Sequence, residues 1–418
     1  MKRKRWIVLV CIAVACAGAG AQSEKNDGVI PPPDGPWPKV ILFGSVMDPR
    51  FMAENPSRLE ELPFHGYILH GDTNERPDSQ DLALARSVYG PRRLRRENYT
   101  NLIESMRKVR QTVPAVTENF IQISPLPGTL VDRPDNNLFP DHDEEIEMWF
   151  SEDFDIVLHN IRLAAEVAQA AGLRGLMLDV EPYGGRLWQP DRMRDARARG
   201  AGFDTTWKQV RTRAEQFMQA MEAGYPGLTV FLTFGYEQAV NPGYRLLAPF
   251  LDGLFAAAGP EVRIVCGYEQ YRLFSREDFL EGYWFTHCWS RQRCAVPDAY
   301  QARVSAAFRV WPEVNGWDAE APTARFPPER YQEALVNALS TADHYVWVYS
   351  EGLGRLDFPN WWTGRSLPEA YIEATRQALK NAAPPLTTQP NRAFLEGESA
   401  YSRRITYEQW RRDRLPDP

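Results

Sequence analysis

Short apolar runs bounded by turn residues recur along the chain, and amphipathic segments of helical length separate them. Apolar strands that alternate with helices are typical of a parallel sheet whose two faces are both buried. Eight runs are predicted as β-strands: Val40 to Phe43, Gly66 to Leu69, Phe120 to Ile123, Gly175 to Leu178, Leu228 to Phe234, Val262 to Val265, Ala307 to Trp311 and Tyr345 to Tyr349.

Residues 151–173 show the clearest helical periodicity, and Gly172 supplies a C-terminal stop. Apolar side chains in this segment recur at spacings of three and four residues: Leu158, Ile161, Ala165 and Ala168. Three further segments with the same pattern precede predicted strands: residues 98–113, 206–224 and 328–342. Helix and strand therefore alternate through most of the chain.

This alternation over residues 37–380 predicts an α/β fold, a single (β/α)8 TIM barrel with long βα loops. The longest loop is expected at residues 124–145, which are rich in Pro, Asp and Asn. A polar, Pro-rich tether is expected at residues 22–36. Residues 381–418 are expected to form a solvated C-terminal extension that packs on the outside of the barrel.

Residues 1–21 have the pattern of a signal peptide, with four basic residues before an apolar run that is too short to span a bilayer. Two processing sites remain open. Ala19-Gly20-Ala21 fits a cleavage site before Gln22, whereas the residues before Cys16 resemble a bacterial lipobox. The protein is therefore expected to be exported, and to be periplasmic, secreted or anchored to a membrane through a lipid on Cys16.

Composition narrows the class of partner. The 418 residues carry a formal net charge of −7, so a strongly basic, nucleic-acid-binding face is not expected and a neutral or cationic partner is favoured. The 13 Trp, 17 Tyr and 20 Phe exceed what a core of this size needs, so some rings are expected to face a ligand. No zinc-type spacing occurs, and neither a metal site nor a cofactor is expected.

Three cysteines lie beyond the signal segment. Cys288 and Cys294 are close enough in sequence to pair in an oxidising compartment, and Cys266 lies in an apolar strand and is expected to be a buried thiol.

The carboxyl ends of barrel strands hold the active sites of this fold, and the fourth run ends in Asp179, Val180, Glu181, Pro182 and Tyr183. The period of two along a strand directs Asp179 and Glu181 to the same side, into the barrel mouth. Two neighbouring carboxyls favour retention of a proton on one of them, which a general acid needs. Alternatively, Asp179 fixes a loop and Glu181 alone meets the substrate.

Other strand ends add acids and aromatic rings, a combination that glycoside hydrolysis uses without metal or cofactor. The predicted catalytic residues are Glu181, Asp179, Glu351 and Glu269. The predicted substrate-binding residues are Tyr183, Trp188, Glu237, Tyr268, Trp361 and Trp362.

The segments GLRGLMLDVEPY, YVWVYSE, LPFHGYILHG and NFIQIS resemble the (β/α)8 glycoside hydrolase superfamily, in particular a group of uncharacterised bacterial glycosidase-like proteins. The resemblance implies a barrel and carbohydrate chemistry. The fourth strand is also similar in part to the DxxDxDxE motif of family-18 chitinases. Glu181 and Asp179 match that motif, and Tyr268 suits the family's tyrosine, but Met177 and Arg174 replace its two earlier Asp residues. The match implies that Glu181 is the acid and Asp179 its partner.

The sequence thus favours an exported glycoside hydrolase that acts on a poly- or oligosaccharide by two-carboxylate acid/base catalysis. A non-catalytic carbohydrate-binding barrel at the cell surface is the alternative from another class. A barrel enzyme of other chemistry, such as a lyase or an isomerase, is less favoured.

Overall fold

Eight parallel strands, hydrogen-bonded in chain order, form a closed barrel. The computed structural model describes residues 38–43, 48–71, 83–90, 92–124, 149–181, 187–189, 202–270, 273–312, 327–349 and 369–383. The strands are β1 Lys39–Phe43, β2 Gly66–Leu69, β3 Phe120–Ile123, β4 Gly175–Leu178, β5 Thr229–Leu232, β6 Arg263–Cys266, β7 Val304–Val310 and β8 Tyr345–Tyr349.

Helices surround the strands. The described α-helices are α1 Pro49–Glu54, α2 Pro56–Glu61, α3 Leu84–Ser87, α4 Thr100–Thr112, α5 Phe154–Ala170, α6 Phe203–Gly224, α7 Tyr236–Ala239, α8 Leu247–Ala257, α9 Arg276–Trp284, α10 Arg291–Arg293, α11 Pro297–Arg303, α12 Pro328–Leu339 and α13 Glu369–Asn381. Two 3-10 helices, Arg96–Tyr99 and Pro242–Tyr244, and a π-helix, Phe285–Ser290, complete the described elements.

The predicted (β/α)8 barrel is confirmed, and four of the strands have the predicted bounds. The largest difference is in β7, which begins at Val304 rather than Ala307 because Ser305 pairs with Val265 of β6. Gly172 ends α5 as predicted: its φ is 72°, and the next amide, Leu173 N, donates to Ala168 O at 2.9 Å.

Side chains that point inward fill the barrel. Phe120 of β3 lies between Phe231 of β5 and Tyr345 of β8, with ring centroids 5.7 Å apart in both pairs. The Trp347 ring packs against Phe231 and donates from Nε1 to Gly267 O at 2.8 Å. This layer makes a solid floor beneath the carboxyl ends of the strands.

An ion pair between the buried Glu118 and the half-buried Arg174 lies at the other end of the barrel, at the amino ends of the strands. Glu118 is 1% exposed and accepts two hydrogen bonds of 2.9 Å from Arg174 and one of 2.7 Å from Tyr345 Oη. Burial raises the pKa of Glu118, but the hydrogen bonds and charge of Arg174, together with the hydrogen bonds from Thr117 and Tyr345, outweigh it and the net shift is downward.

The three cysteines in the described part of the chain, Cys266, Cys288 and Cys294, are free thiols. Cys266 is buried, as expected for its strand, and Cys294 accepts a hydrogen bond from Val296 N at 3.3 Å. The suggested pairing of Cys288 with Cys294 is therefore not formed.

Several sequence-based expectations fall outside the described residues. They concern the signal peptide, the tether, most of the predicted long loop and the C-terminal extension beyond residue 383. Among the helices that the structure does describe, none combines the length and apolarity needed to cross a bilayer.

A Glu118→Gln variant tests the ion pair at the amino end. The substitution leaves Arg174 without its charged partner, so the free energy of unfolding should fall by about 2 kcal/mol at pH 7. Because the folded-state pKa of Glu118 is lowered, this difference should be complete above about pH 4.5 and shrink as the pH falls further. Urea unfolding followed by tryptophan fluorescence at pH 7 and pH 3 measures both effects.

Glu166→Gln is the matched control, because Glu166 pairs with Arg162 on the surface of α5. That change should cost less than about 0.5 kcal/mol. Equal losses in the two variants would contradict a special role for Glu118.

Candidate active site

Asp179 follows β4 directly and is fixed by hydrogen bonds on both carboxylate oxygens. It is 2% exposed. Oδ2 accepts from Gln122 Nε2 at 3.0 Å, and Oδ1 accepts from the backbone N of Glu181 at 3.1 Å. The inward-facing positions of β4, such as Met177, continue through Asp179 at a period of two. Asp179 therefore lies above the barrel floor and holds the backbone of Glu181.

The segment between the two acids is also held in place. Val180 N donates to Thr233 Oγ1 at 3.2 Å, and Val180 O accepts from Trp188 Nε1 at 2.8 Å. Glu181 itself is half-buried. A carboxyl that is mounted on a fixed backbone and remains accessible is well placed to meet a ligand.

A tight turn after β6 supplies the third acid. Tyr268 has a φ of 42°, a left-handed conformation that is strained for a non-glycine residue. Its ring packs so closely on Gly282 that an added Cβ there would come within 2.7 Å of it. Glu269 N then donates to Thr233 O at 3.2 Å, which fixes the turn. Packing thus stabilises the strained conformation of Tyr268, and the turn brings Glu269 to the barrel mouth.

Arg309, on the inward face of β7, pairs with Glu269. Its Nη1 lies 2.7 Å from Glu269 Oε1, and both side chains are almost fully buried. Burial raises the pKa of Glu269 well above its ordinary range, Arg309 opposes the rise, and the charges of Glu181 and Asp179 add to it. The three carboxyl groups are therefore close enough to interact electrostatically.

We refer to Asp179, Glu181 and Glu269 as the acid cluster. With one described guanidinium against three carboxyls, Glu269 retains a proton at a pH where an isolated carboxyl is ionised. Within the described ranges, no three acidic, His or Cys side chains are arranged to hold a metal ion. A carboxyl that holds its proton near neutral pH is suited to proton transfer.

Two predicted substrate-binding residues, Trp188 and Glu237, are buried in the structure. Trp188 is 2% exposed and packs between Trp149 and Phe250, with ring centroids 5.8 and 5.2 Å away. Glu237 is 7% exposed, and its Oε1 accepts from Gly235 N at 2.6 Å. In the structure, Trp188 packs in the core and supports the backbone of Val180.

Glu237 lies in a separate buried pocket of polar groups. Its charge acts on the Cys266 thiol and the Tyr300 hydroxyl, which belong to the core between strands and helices. Burial raises the pKa of Glu237 to about 7, although the hydrogen bond from Gly235 lowers it.

Four predicted site residues are outside the described part of the chain: Glu351, Tyr183, Trp361 and Trp362. Of the predicted residues that are described, the structure brings together Asp179, Glu181, Glu269 and, through the turn, Tyr268.

Sequence reasoning missed three polar side chains that hold the site: Gln122, Thr233 and Arg309. Gln122 and Arg309 are polar residues inside apolar strands, at positions that face the barrel interior. That placement was the available signal, because a polar group facing inward needs a buried partner.

No protein-family model matches the chain. None of the curated proteins is similar to it. Solved structures with a similar barrel include the exo-β-1,4-mannosidase Op5Man5 from Opitutaceae bacterium strain TAV5, with 12% identity and a TM-score of 0.42 over 82% of this chain. The chain spans only 60% of that mannosidase.

Two further barrels illustrate the range of similar structures. A GH5-4 broad specificity endoglucanase from an uncultured bacterium has 9% identity and a TM-score of 0.39, and covers 81% of this chain and 86% of its own. A sugar phosphate isomerase/epimerase from Parabacteroides distasonis ATCC 8503 has 10% identity and a TM-score of 0.36, with coverages of 83% and 99%. Both glycoside hydrolases and sugar isomerases thus occur among the neighbours, and the likeness concerns the fold alone.

Glu237 provides a test of buried charge near the site. Its pKa is about 7 in the folded state and 4.5 in an exposed carboxyl, so the folded state binds the extra proton between these values. The contribution of Glu237 to stability should therefore be greatest below pH 4.5 and decline by about 3 kcal/mol as the pH rises past 7. The free energy of unfolding of Glu237→Gln minus that of wild type should therefore be larger at pH 8 than at pH 5.

Chemical unfolding at both pH values measures this change. Glu104→Gln, which alters an exposed carboxyl on α4, should differ from wild type equally at the two pH values. If Glu237→Gln instead differs from wild type equally at the two pH values, burial does not raise the pKa of Glu237 and the prediction is wrong.

Proposed function

We propose that this protein is a glycoside hydrolase that cleaves a poly- or oligosaccharide by two-carboxylate acid/base catalysis. The observation that carries the proposal is that Glu181 and Glu269, after the carboxyl ends of β4 and β6, lie close enough for the charge of Glu181 to raise the pKa of Glu269. Catalytic acids and bases are expected where carboxyls in different environments influence each other's protonation. Glu181 is half-buried, whereas Glu269 is almost fully enclosed.

Glu181 is assigned the role of general acid/base because its greater exposure allows it to reach a glycosidic oxygen. In the first step, it donates its proton to that oxygen as the bond between the oxygen and the anomeric carbon breaks. In a retaining reaction, its carboxylate then takes a proton from the water that hydrolyses the glycosyl-enzyme intermediate. Asp179 supports this role by accepting from the backbone N of Glu181 at 3.1 Å and by raising the proton affinity of the cluster.

Glu269 is assigned the role of second carboxylate. In a retaining reaction it attacks the anomeric carbon, and in an inverting reaction it takes the proton of the attacking water. Burial and the neighbouring carboxylates keep a proton on Glu269 at rest, and transfer of this proton to Glu181 prepares Glu181 as the acid and leaves Glu269 ionised. Arg309 Nη1, at 2.7 Å from Glu269 Oε1, stabilises that ionised form. Glu351 remains a candidate for this role on sequence grounds alone.

Export is part of the proposal and is supported by the N-terminal sequence. The basic residues and short apolar run within residues 1–21 would direct the chain across a membrane, where polysaccharides are accessible.

Glu181→Gln is the main catalytic test. Loss of the exchangeable proton should lower kcat by about 10² to 10⁴ on the substrate found by screening polysaccharides and aryl glycosides. Glu269→Gln should cause a loss of similar size. NMR of the anomeric configuration of the first product then decides between retention and inversion.

Glu104→Gln is the control and should keep full activity, since it replaces an exposed carboxyl on α4. Undiminished turnover by Glu181→Gln would overturn the proposal. Binding of a polysaccharide by wild type with no hydrolysis in any condition would favour the non-catalytic carbohydrate-binding barrel instead.

The form of export is tested by mass spectrometry of the mature N-terminus from a bacterial host. Cleavage before Gln22 should give an unmodified N-terminus, whereas use of the lipobox should leave an acylated Cys16. Recovery of the chain with Met1 and the whole apolar run intact would contradict export.

A further inference from the structure

Four exposed arginines occur within five residues in the segment between α3 and α4, although the whole chain has a net charge of −7. They are Arg92, Arg93, Arg95 and Arg96, and the one residue between them, Leu94, is buried. We call residues 92–96 the arginine loop. Such a local concentration of positive charge on an acidic protein creates a strong positive potential at one place on its surface.

The arginine loop is held rigidly from below. Asn160 of α5 is fully buried, accepts from Leu94 N at 2.8 Å and donates to Arg92 O at 2.8 Å. The neighbouring His159 contacts Leu94 O through Nε2 at 3.0 Å. The backbone hydrogen bonds on both sides of Leu94 are thus satisfied by the protein, and the arginine side chains are left on the outside. A fixed backbone lowers the entropy lost when these side chains bind a ligand.

The position of the arginine loop is electrostatically unfavourable for positive charge, which suggests that the arginines are present to bind a ligand. Arg96 begins the 3-10 helix Arg96–Tyr99, which leads directly into the N-terminal end of α4 with its partial positive charge, and Arg95 precedes it. Arg93 pairs with Asp155. Within the described part of the chain, Arg92, Arg95 and Arg96 have no carboxylate at ion-pair distance.

The arginine loop lies at the same end of the barrel as the acid cluster. Its segment follows β2, and Ser124 N, at the carboxyl end of β3, donates to Ala85 O at 2.7 Å. Tyr89, between these two points, is close enough to Asp179 that its pKa is raised first by burial and then by that charge. A long ligand cleaved at the barrel mouth could therefore extend over the arginine loop.

We propose that the arginine loop is a subsite for negatively charged groups of the substrate, so that the substrate is a polysaccharide bearing carboxylate or sulfate groups. This inference rests on the proposed function and adds a substrate class to it. The acid cluster repels anions, so the bond that is cleaved adjoins an uncharged position and the anionic groups bind at the rim. Arginine is suited to both kinds of group because its guanidinium binds planar oxyanions through two parallel hydrogen bonds.

A membrane is the other partner that the charge would fit. The position of the loop on the catalytic rim favours the polysaccharide, because a bilayer bound there would cover the barrel mouth. The two possibilities give different results in the following experiment.

The test measures binding of the Glu181→Gln protein to polygalacturonate, dextran sulfate and neutral dextran by affinity electrophoresis. The Glu181→Gln substitution prevents cleavage, so binding at the arginine loop is measured separately from turnover. The protein should bind one or both anionic polymers more tightly than dextran, and added NaCl should weaken that binding. Replacing Arg92, Arg95 and Arg96 with Gln should weaken it about tenfold, as expected for three exposed charge contacts of about twofold each.

The matched control replaces Lys108, Arg110 and Lys380 with Gln. These residues are exposed and lie in the last turns of α4 and α13, at the opposite end of the barrel, and their replacement changes the net charge equally. Binding to the anionic polymers should change less than twofold in this variant. Equal losses in the two triple variants would overturn the proposal, as would equal binding to anionic polymers and dextran.

Vesicles containing 30% phosphatidylglycerol provide the other arm. In the contrary outcome, the protein sediments with these vesicles, loses that binding in the arginine variant and shows no preference for anionic polymers. That result would overturn the substrate subsite and identify the arginine loop as a membrane-binding surface. Failure of the proposed function would instead appear as a turnover of Glu181→Gln equal to that of wild type. That comparison is a separate activity measurement, in which the arginines are not replaced.

Discussion

Closure of eight parallel strands into one barrel forces every second side chain of each strand into a confined interior, and the remaining structure follows from how that interior is filled. Large rings occupy its middle, where Phe120, Phe231 and Tyr345 pack edge to face. Trp347 completes this layer, and its Nε1 donates to Gly267 O beside the turn that carries Glu269. The floor of the site and the placement of one of its acids thus depend on the same buried ring.

The two ends of the barrel solve the problem of buried charge in opposite ways. At the amino end, Glu118 is matched by Arg174 and its pKa is lowered, so the charge is stable and the group is inert. At the carboxyl end, the acid cluster faces one described guanidinium, Arg309, and the pKa of Glu269 is raised. A balanced pair stabilises a fold, whereas an excess of carboxyls creates a group that can give up a proton near neutral pH. This asymmetry is the physical reason to locate chemistry at the carboxyl end.

Much of this arrangement could be predicted from the sequence because strand periodicity is local information. The period of two predicted that Asp179 and Glu181, which follow β4, would lie together at the barrel mouth, and the apolar runs predicted the strands. The same reasoning was less suited to Glu237, because α7 begins at Tyr236 and helical geometry replaces the strand period there. The partners of the acids could not be predicted either. Arg309 reaches Glu269 across a distance of 40 residues in sequence, and only the closed barrel brings them together.

Net charge was also a weaker guide than charge distribution. A total of −7 favours neutral or cationic partners when charge is spread evenly. Screening in physiological salt limits the reach of each exposed charge to about 8 Å, so a ligand responds to the residues next to it rather than to the sum. At the carboxyl end of the barrel, charges of both signs occur: carboxyls in the acid cluster and guanidinium groups on the arginine loop. A polymer that is neutral at the cleaved bond and anionic farther along matches both regions, which a uniformly charged or uniformly neutral chain does not.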